Sequence, residues 1–176
     1  MRGEIADYKE SLRQRVALLK GVPVAALQHV YARRLQLNHG AEVLVEACRD
    51  AGLTTLLVSG GFFTDRIRKR LHLDHARNNV LDITADGRLS GRMVDQPWGD
   101  ICDGAEKRRA LLETCQRVGC APQQAIAMGD GANDLEMMVV AGLAVAYRAK
   151  PTVRERAHVC IDMGGLDRLL EVFDAL

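Results

Sequence analysis

Aromatic residues are scarce in this sequence: one tryptophan, three tyrosines and three phenylalanines make up 4% of 176 residues. A core built from so few rings must be aliphatic, and an apolar fraction of 48% is enough to build one. A chain of this length buries roughly two-thirds of the surface it exposes when unfolded, so one domain, or a core with a small insert, is expected. Net charge is scarce too. The 24 basic and 23 acidic residues nearly cancel, which leaves no basic footprint for nucleic acid or acidic lipid. No apolar run approaches the roughly 20 residues of a membrane helix. The first stretch, MRGEIADYKESLRQRV, is charged and amphipathic and does not read as a signal peptide. There is no Cys-x-x-Cys pair. The five cysteines, at positions 48, 102, 115, 120 and 160, are odd in number and read as reduced, mostly buried thiols of a cytoplasmic protein.

What is present falls into two patterns. In residues 1–37, Ile5, Tyr8, Leu12, Val16 and Leu19 recur at steps of three and four and form one apolar helical stripe. Gly21 can end that helix and Pro23 can open the next, in which Leu27, Val30 and Tyr31 keep the spacing. A helical hairpin is expected there. Residues 38–176 alternate between helix and strand. Helices are expected near Ala41–Ala51, Phe63–Leu71, Ala105–Val118, Asn133–Ala141 and Leu166–Phe173, and strands at Leu53–Val58, Ala125–Met128, Leu143–Tyr147 and Val159–Ile161. The first of these strands is apolar or β-branched throughout and the second is apolar, which suits a sheet covered on both faces. Around Asp86-Gly87, residues Asn79–Val94 read as a β-hairpin, for which Asp-Gly is a strong turn signal. The alternation predicts an α/β fold with a mostly parallel sheet between helices.

Three segments carry possible chemistry. Met128-Gly129-Asp130-Gly131-Ala132-Asn133-Asp134 brings two carboxylates and an amide to the C-terminal end of a strand, the edge at which open α/β sheets place ligands. Hard oxygen donors grouped in this way suit Mg²⁺; an aspartate-rich turn with a helix cap would leave the same pattern. Ser59-Gly60-Gly61, also after a strand, offers a hydroxyl and amides to an anion, and alone it is equally an ordinary turn. Lys107, near a helix start, reads by itself as part of a solvated helix face, as do Arg66, Arg68, Lys69 and Arg70. His72 and His75 have no thiolate or carboxylate cluster beside them and read as surface or packing residues.

Together these segments are far more specific than apart. A strand ending in Ser-Gly-Gly, a later lysine at a helix start and a strand ending in Gly-Asp-Gly-Ala-Asn-Asp resemble motifs two, three and four of the haloacid dehalogenase-type phosphatases. Ala141-Gly142-Leu143 through Lys150-Pro151 looks like the segment after motif four in phosphoserine phosphatases, and residues 1–21 resemble that family's helical cap. The resemblance implies a Rossmann-like parallel sheet at 38–176, a partial helical cap at 1–37, and Mg²⁺-dependent hydrolysis of a small phosphomonoester, O-phospho-L-serine, through an aspartyl phosphate. It implies that Ser59 and the Gly60 amide hold phosphoryl oxygens and that Lys107 neutralises the phosphate and orients the nucleophile. Asp130 would ligate Mg²⁺, with Asp134 supporting the metal from behind it and Asn133 holding phosphate or the metal's surroundings. Arg15 would pair with the substrate carboxylate, as a guanidinium suits two-pronged contact, and Tyr8 would pack the pocket.

Family members open with an apolar strand ending in Asp-x-Asp-x-Thr, whose first aspartate attacks phosphorus. No Asp-x-Asp occurs in these 176 residues. The sequence starts at a methionine inside the cap-like region, which leads to the expectation of a misplaced start, a shortened gene or an expressed portion. As given, the chain is expected not to complete the catalytic cycle. The alternatives are a non-catalytic phosphate-binding or interaction module, a fragment, or a phosphatase for another small phosphomonoester. The strands before Ser59 and Asp130 should end at one edge of the sheet. They would lie about 10 Å apart if they flank the place of one strand, or pair directly if the sheet has collapsed.

Overall fold

The computed structural model describes the backbone of residues 2–174 and the side chains of residues 8–173. Helix α1, Arg2–Ala17, forms on the expected stripe and buries Leu12 and Val16; the side chain of Ile5 lies outside the described residues. The helix ends before Leu19, and the chain reverses through Gly21, whose φ of +82° suits glycine. The turn is tied to the hairpin by the Gly21 amide donating to the Leu89 carbonyl at 2.8 Å and the Leu89 amide donating to the Val22 carbonyl at 2.8 Å. Helix α2, Val24–Arg33, starts directly after Pro23 and completes the helical hairpin.

The rest alternates as expected, with shifted boundaries. Helix α3, Ala41–Asp50, leads to strand β1, Leu56–Ser59. The strand is shorter than the apolar run: Leu53 is 46% exposed and lies outside it. Helix α4, Thr64–Leu71, follows, then a strand that the pattern does not announce, β2, His75–Asn78, parallel to β1. The hairpin comprises β3, Val80–Ile83, and β4, Leu89–Val94, turning at Asp86-Gly87 with a register shift between Leu81 and Ile83. Helix α5, Gly104–Val118, leads to β5, Ile126–Gly129. The expected helix at Asn133 is first a tight 3₁₀ turn, Ala132–Asp134, and then α6, Leu135–Val140. Strand β6 spans Leu143–Tyr147, α7 Pro151–Arg154, β7 Val159–Ile161 and α8 Leu170–Asp174.

Strands β5, β6 and β7 form one parallel sheet in that order, with β6 between the others. Strand β6 is covered on both faces. Ala144 and Ala146 pack with Leu111, Met137 and Met138, while Val145 and Tyr147 pack with Ile161 and Leu169. A third cluster joins Leu12 and Val16 of α1 to Leu81 and Leu89 of the hairpin and to Ile101. These clusters are almost wholly without rings, as the scarcity of aromatics requires; Tyr147 is the one ring among their buried members in the described residues.

Strands β1 and β2 form a separate parallel pair. Among the described residues β1 pairs only with β2, and β5 only with β6. The collapsed arrangement, in which β1 and β5 pair, is therefore not the one adopted. Each of the two strands keeps one edge of backbone donors and acceptors free, and β1 is half-buried along its whole length instead of sealed on both faces.

Candidate active site

Helix α5 positions Lys107. Its first turn is fixed by Asp103, whose Oδ1 accepts a hydrogen bond from the Glu106 amide at 2.9 Å. Gly104 allows that turn to approach the strand-β5 loop: a Cβ there would lie 2.8 Å from Glu136 Oε1 and 3.3 Å from the Asn133 carbonyl. Lys107 is thereby delivered to the end of β5, 6% exposed, and its Nζ donates to Asp134 Oδ1 at 2.7 Å.

Asp134 organises the loop. Its Oδ2 accepts from the amides of Asp130 and Gly131, each at 3.1 Å. The carboxylate lies so close to Gly129 that any side chain there would overlap it. Both Asp134 oxygens are thus occupied by protein donors. The Asp130 side chain, by contrast, is exposed at the mouth of the loop, and the Asp130 carbonyl accepts from the Lys150 amide at 3.1 Å. Asn133 is half-buried beside Gly131. No group of three or more His, Cys, Asp or Glu side chains with metal-binding spacing occurs among the described residues. His72 ends α4 in a left-handed conformation and His75 lies in β2.

On the opposite side, the Ser59 hydroxyl accepts from the Gly61 amide at 3.0 Å and folds the Ser-Gly-Gly turn back on itself. Asn79, 1% exposed, secures this turn. Its Nδ2 donates to the Gly60 carbonyl at 2.8 Å and its Oδ1 accepts from the Cys102 amide at 2.8 Å. Asn79 therefore joins the turn after β1 to the chain entering α5, five residues before Lys107. Cys102 is fully buried in this joint, and burial pushes its thiol up to about 11. Removing the Asn79 amide leaves a buried acceptor and a buried donor unpaired, at about 1–3 kcal/mol each. Asn79→Ala is expected to lower the unfolding free energy by at least about 2 kcal/mol, read as a lower urea midpoint with an unchanged slope. An unchanged midpoint would show that Asn79 is not the joint described.

Helix α1 lies across this assembly. The Tyr8 hydroxyl rests on Gly60, in the space that a Cβ would fill. Lys9 Nζ reaches Asp100 Oδ1 at 3.0 Å and Asp103 Oδ2 at 3.4 Å, and Arg13 Nη2 reaches Asp100 Oδ2 at 2.5 Å. Arg15 is exposed, and its Nε donates to the Ser11 carbonyl of its own helix at 3.2 Å. The structure thus brings Lys107, Asp134, Asp130 and Asn133 together at the end of β5, and the Tyr8 hydroxyl onto Gly60 beside Ser59, while Arg15 stands two turns farther along α1. Asp103 and Asn79 were not singled out from sequence. Asp103, three residues before Glu106, carries a recognisable helix-start pattern; Asn79 carries none.

The sequence pattern of the haloacid dehalogenase-like hydrolases matches residues 101–164, which include Lys107, Asp130 and Asp134. A phosphoserine phosphatase from a Polaromonas species is 71% identical over 174 residues, covering 98% of this chain and 73% of the relative. The structure of a probable phosphoserine phosphatase from Vibrio cholerae, unliganded, superposes with a TM-score of 0.88 at 36% identity, covering 95% of this chain and 50% of that one. A phosphoserine phosphatase solved as a phospho-aspartyl intermediate analogue superposes with a TM-score of 0.85 at 33% identity, covering 93% of this chain and 76% of that one. The chain belongs to the phosphoserine phosphatase family of haloacid dehalogenase-like hydrolases.

Proposed function

We propose that this chain carries the phosphate-binding and charge-balancing half of a cytoplasmic phosphatase for O-phospho-L-serine. The observation that carries this reading is the placement of Lys107: its ammonium is held by Asp134 at 2.7 Å at the end of β5, and the chain entering its helix is tied through Asn79 to the Ser59-Gly60-Gly61 turn, so that turn and lysine would share one corner. A phosphoryl group in that corner would meet the Ser59 hydroxyl, the Gly60 amide, Lys107 and the Asn133 amide. Fixed donors aimed where negative charge gathers are the main means by which phosphoryl transfer is accelerated. Division into a cap, 1–37, and a core, 38–176, belongs to the same proposal.

The donor set fits Mg²⁺, which takes one or two carboxylates together with water and phosphate oxygens. Asp130, exposed at the loop mouth, would ligate it; Asp134, with both oxygens occupied, would hold the loop in shape behind it. Bound Mg²⁺ would supply charge neutralisation at the phosphoryl oxygens. The attacking carboxylate would come from a strand of the Asp-x-Asp-x-Thr kind received between the free edges of β1 and β5, forming an aspartyl phosphate that water then hydrolyses.

Arg15 would set the preference for an amino-acid phosphate. It makes no salt bridge among the described residues, and it shares a helical face with Tyr8, seven residues earlier. In the protein completed by such a strand, Arg15→Ala is expected to reduce kcat/KM for O-phospho-L-serine at least about tenfold, the scale of a charge-assisted hydrogen bond, and to leave phosphoethanolamine, which has no carboxylate, nearly unchanged. Equal losses on both substrates would contradict this role.

A further inference from the structure

We infer that the hydroxyl of Tyr8 donates a hydrogen bond to the bound phosphoryl group, so that Tyr8 acts as a polar contact and not only as an apolar wall; this role rests on the phosphatase reading above. Three observations converge on it.

The first is position. The hydroxyl, not the flank of the ring, is the part of Tyr8 that lies on Gly60, occupying the place of the missing Cβ. Gly60 follows Ser59 in the turn that would hold the proposed phosphate, a turn folded by the Gly61 amide donating to the Ser59 hydroxyl. A phenolic oxygen there would be within reach of a ligand held at that turn.

The second is that the hydroxyl is available. Among the described residues it forms no hydrogen bond to a protein group, although its surroundings are crowded by Cys102, Lys107 and Asp103. Burial is the largest influence on the phenol and raises its pKa. Lys107 and Arg15 pull the other way without reversing the shift. The group therefore keeps its proton at neutral pH and can donate to an anion. A neutral donor adds a hydrogen bond without adding charge beside Lys107.

The third is that the hydroxyl is held in place. Lys9, the next residue, is bound to Asp100 and Asp103, and Leu12 and Val16 anchor the same helix in the hairpin cluster. Asp103 also caps α5 and so fixes Lys107. The cap helix and the lysine thus share one anchor, and Tyr8 does not have to be ordered when ligand arrives. Arg15 stands two turns away, about 10 Å along the helix axis. This separates a phosphate end, under Tyr8, from a carboxylate end, under Arg15.

Tyr8→Phe keeps the ring and removes only the donor. Titration of the 176-residue chain and its Tyr8→Phe variant with inorganic phosphate and with O-phospho-L-serine, by calorimetry in Mg²⁺, tests the assignment. The expected result is a loss of about tenfold in affinity for both ligands, with an unchanged melting temperature. Affinity equal to the parent for both would overturn the role of the hydroxyl while leaving the functional reading intact. Loss confined to O-phospho-L-serine would also overturn it, because the hydroxyl would then be reading the amino-acid part. A parent chain that binds neither ligand would overturn the functional reading itself, and this role with it.

Discussion

Asp134→Ala is expected to lower the unfolding free energy of this chain by about 3–5 kcal/mol, the cost of leaving one partner of a buried ion pair without the other. The side chains of Lys107 and Asp134 are each 7% exposed and 2.7 Å apart. Without the carboxylate, the ammonium stays in a place that water barely reaches, and the amides of Asp130 and Gly131 lose their acceptor. Domains of this size hold only about 5–15 kcal/mol in total, so the variant should be marginal. A loss of this size shifts the melting temperature by about 6–20 °C at roughly 2–4 °C per kcal/mol. The double variant Lys107→Met, Asp134→Leu separates loss of the pair from loss of packing. Replacing both charges by apolar groups removes the orphaned ion, so the double variant should melt above Asp134→Ala. A single variant that melts within about 2 °C of the parent would show that the pair is not buried as described.

Some elements were legible in the sequence because burial and local chemistry agree there. Strand β6 was placed residue for residue, since Leu143–Tyr147 is covered on both faces and must be apolar throughout. The hairpin was legible from Asp86-Gly87, with Gly87 at a φ of +75°. Strand β2 was not legible, because His-Ala-Arg-Asn carries no apolar alternation. It exists through pairing with β1, and its Arg77 is held by Glu106 at 2.5 Å and Glu113 at 2.6 Å, both on a helix far away in sequence. The boundary at Leu53 was misplaced because an apolar run does not say which of its residues will find a neighbouring strand. The motif resemblance points to Lys107 and Asp130, but Lys107 read alone suggests a solvated helix face, whereas the structure buries it. Asp134 was recognised, but its bonds to Lys107 and to two loop amides depend on how α5 meets β5, which no short window encodes. Asn79 is the clearest case: its side chain joins two segments, and nothing next to it in the chain marks that task.

The largest expected effect concerns catalysis. On the proposed reading the 176 residues would hold donors for a phosphoryl group, but they contain no Asp-x-Asp from which to attack it, and covalent phosphoryl transfer by this route requires that carboxylate. The free edges of β1 and β5, and the half-buried state of β1, mark where a strand carrying the carboxylate would be received. Such a strand would end beside Ser59 and Asp130 and place its aspartate within the corner organised by Lys107. Once it is supplied, Lys107→Ala and Asp130→Asn should each reduce turnover by about 10²–10³, the scale of removing one preorganised charge contact. The decisive measurement is phosphate release from O-phospho-L-serine in Mg²⁺ by three proteins: the 176-residue chain, the same chain preceded by an apolar strand ending in Asp-x-Asp-x-Thr, and that longer protein with Lys107→Ala. No release above background by the first, turnover on the order of 1 s⁻¹ or more by the second and its near loss in the third are predicted. Equal turnover by the first and second, or full turnover in the third, would contradict the account.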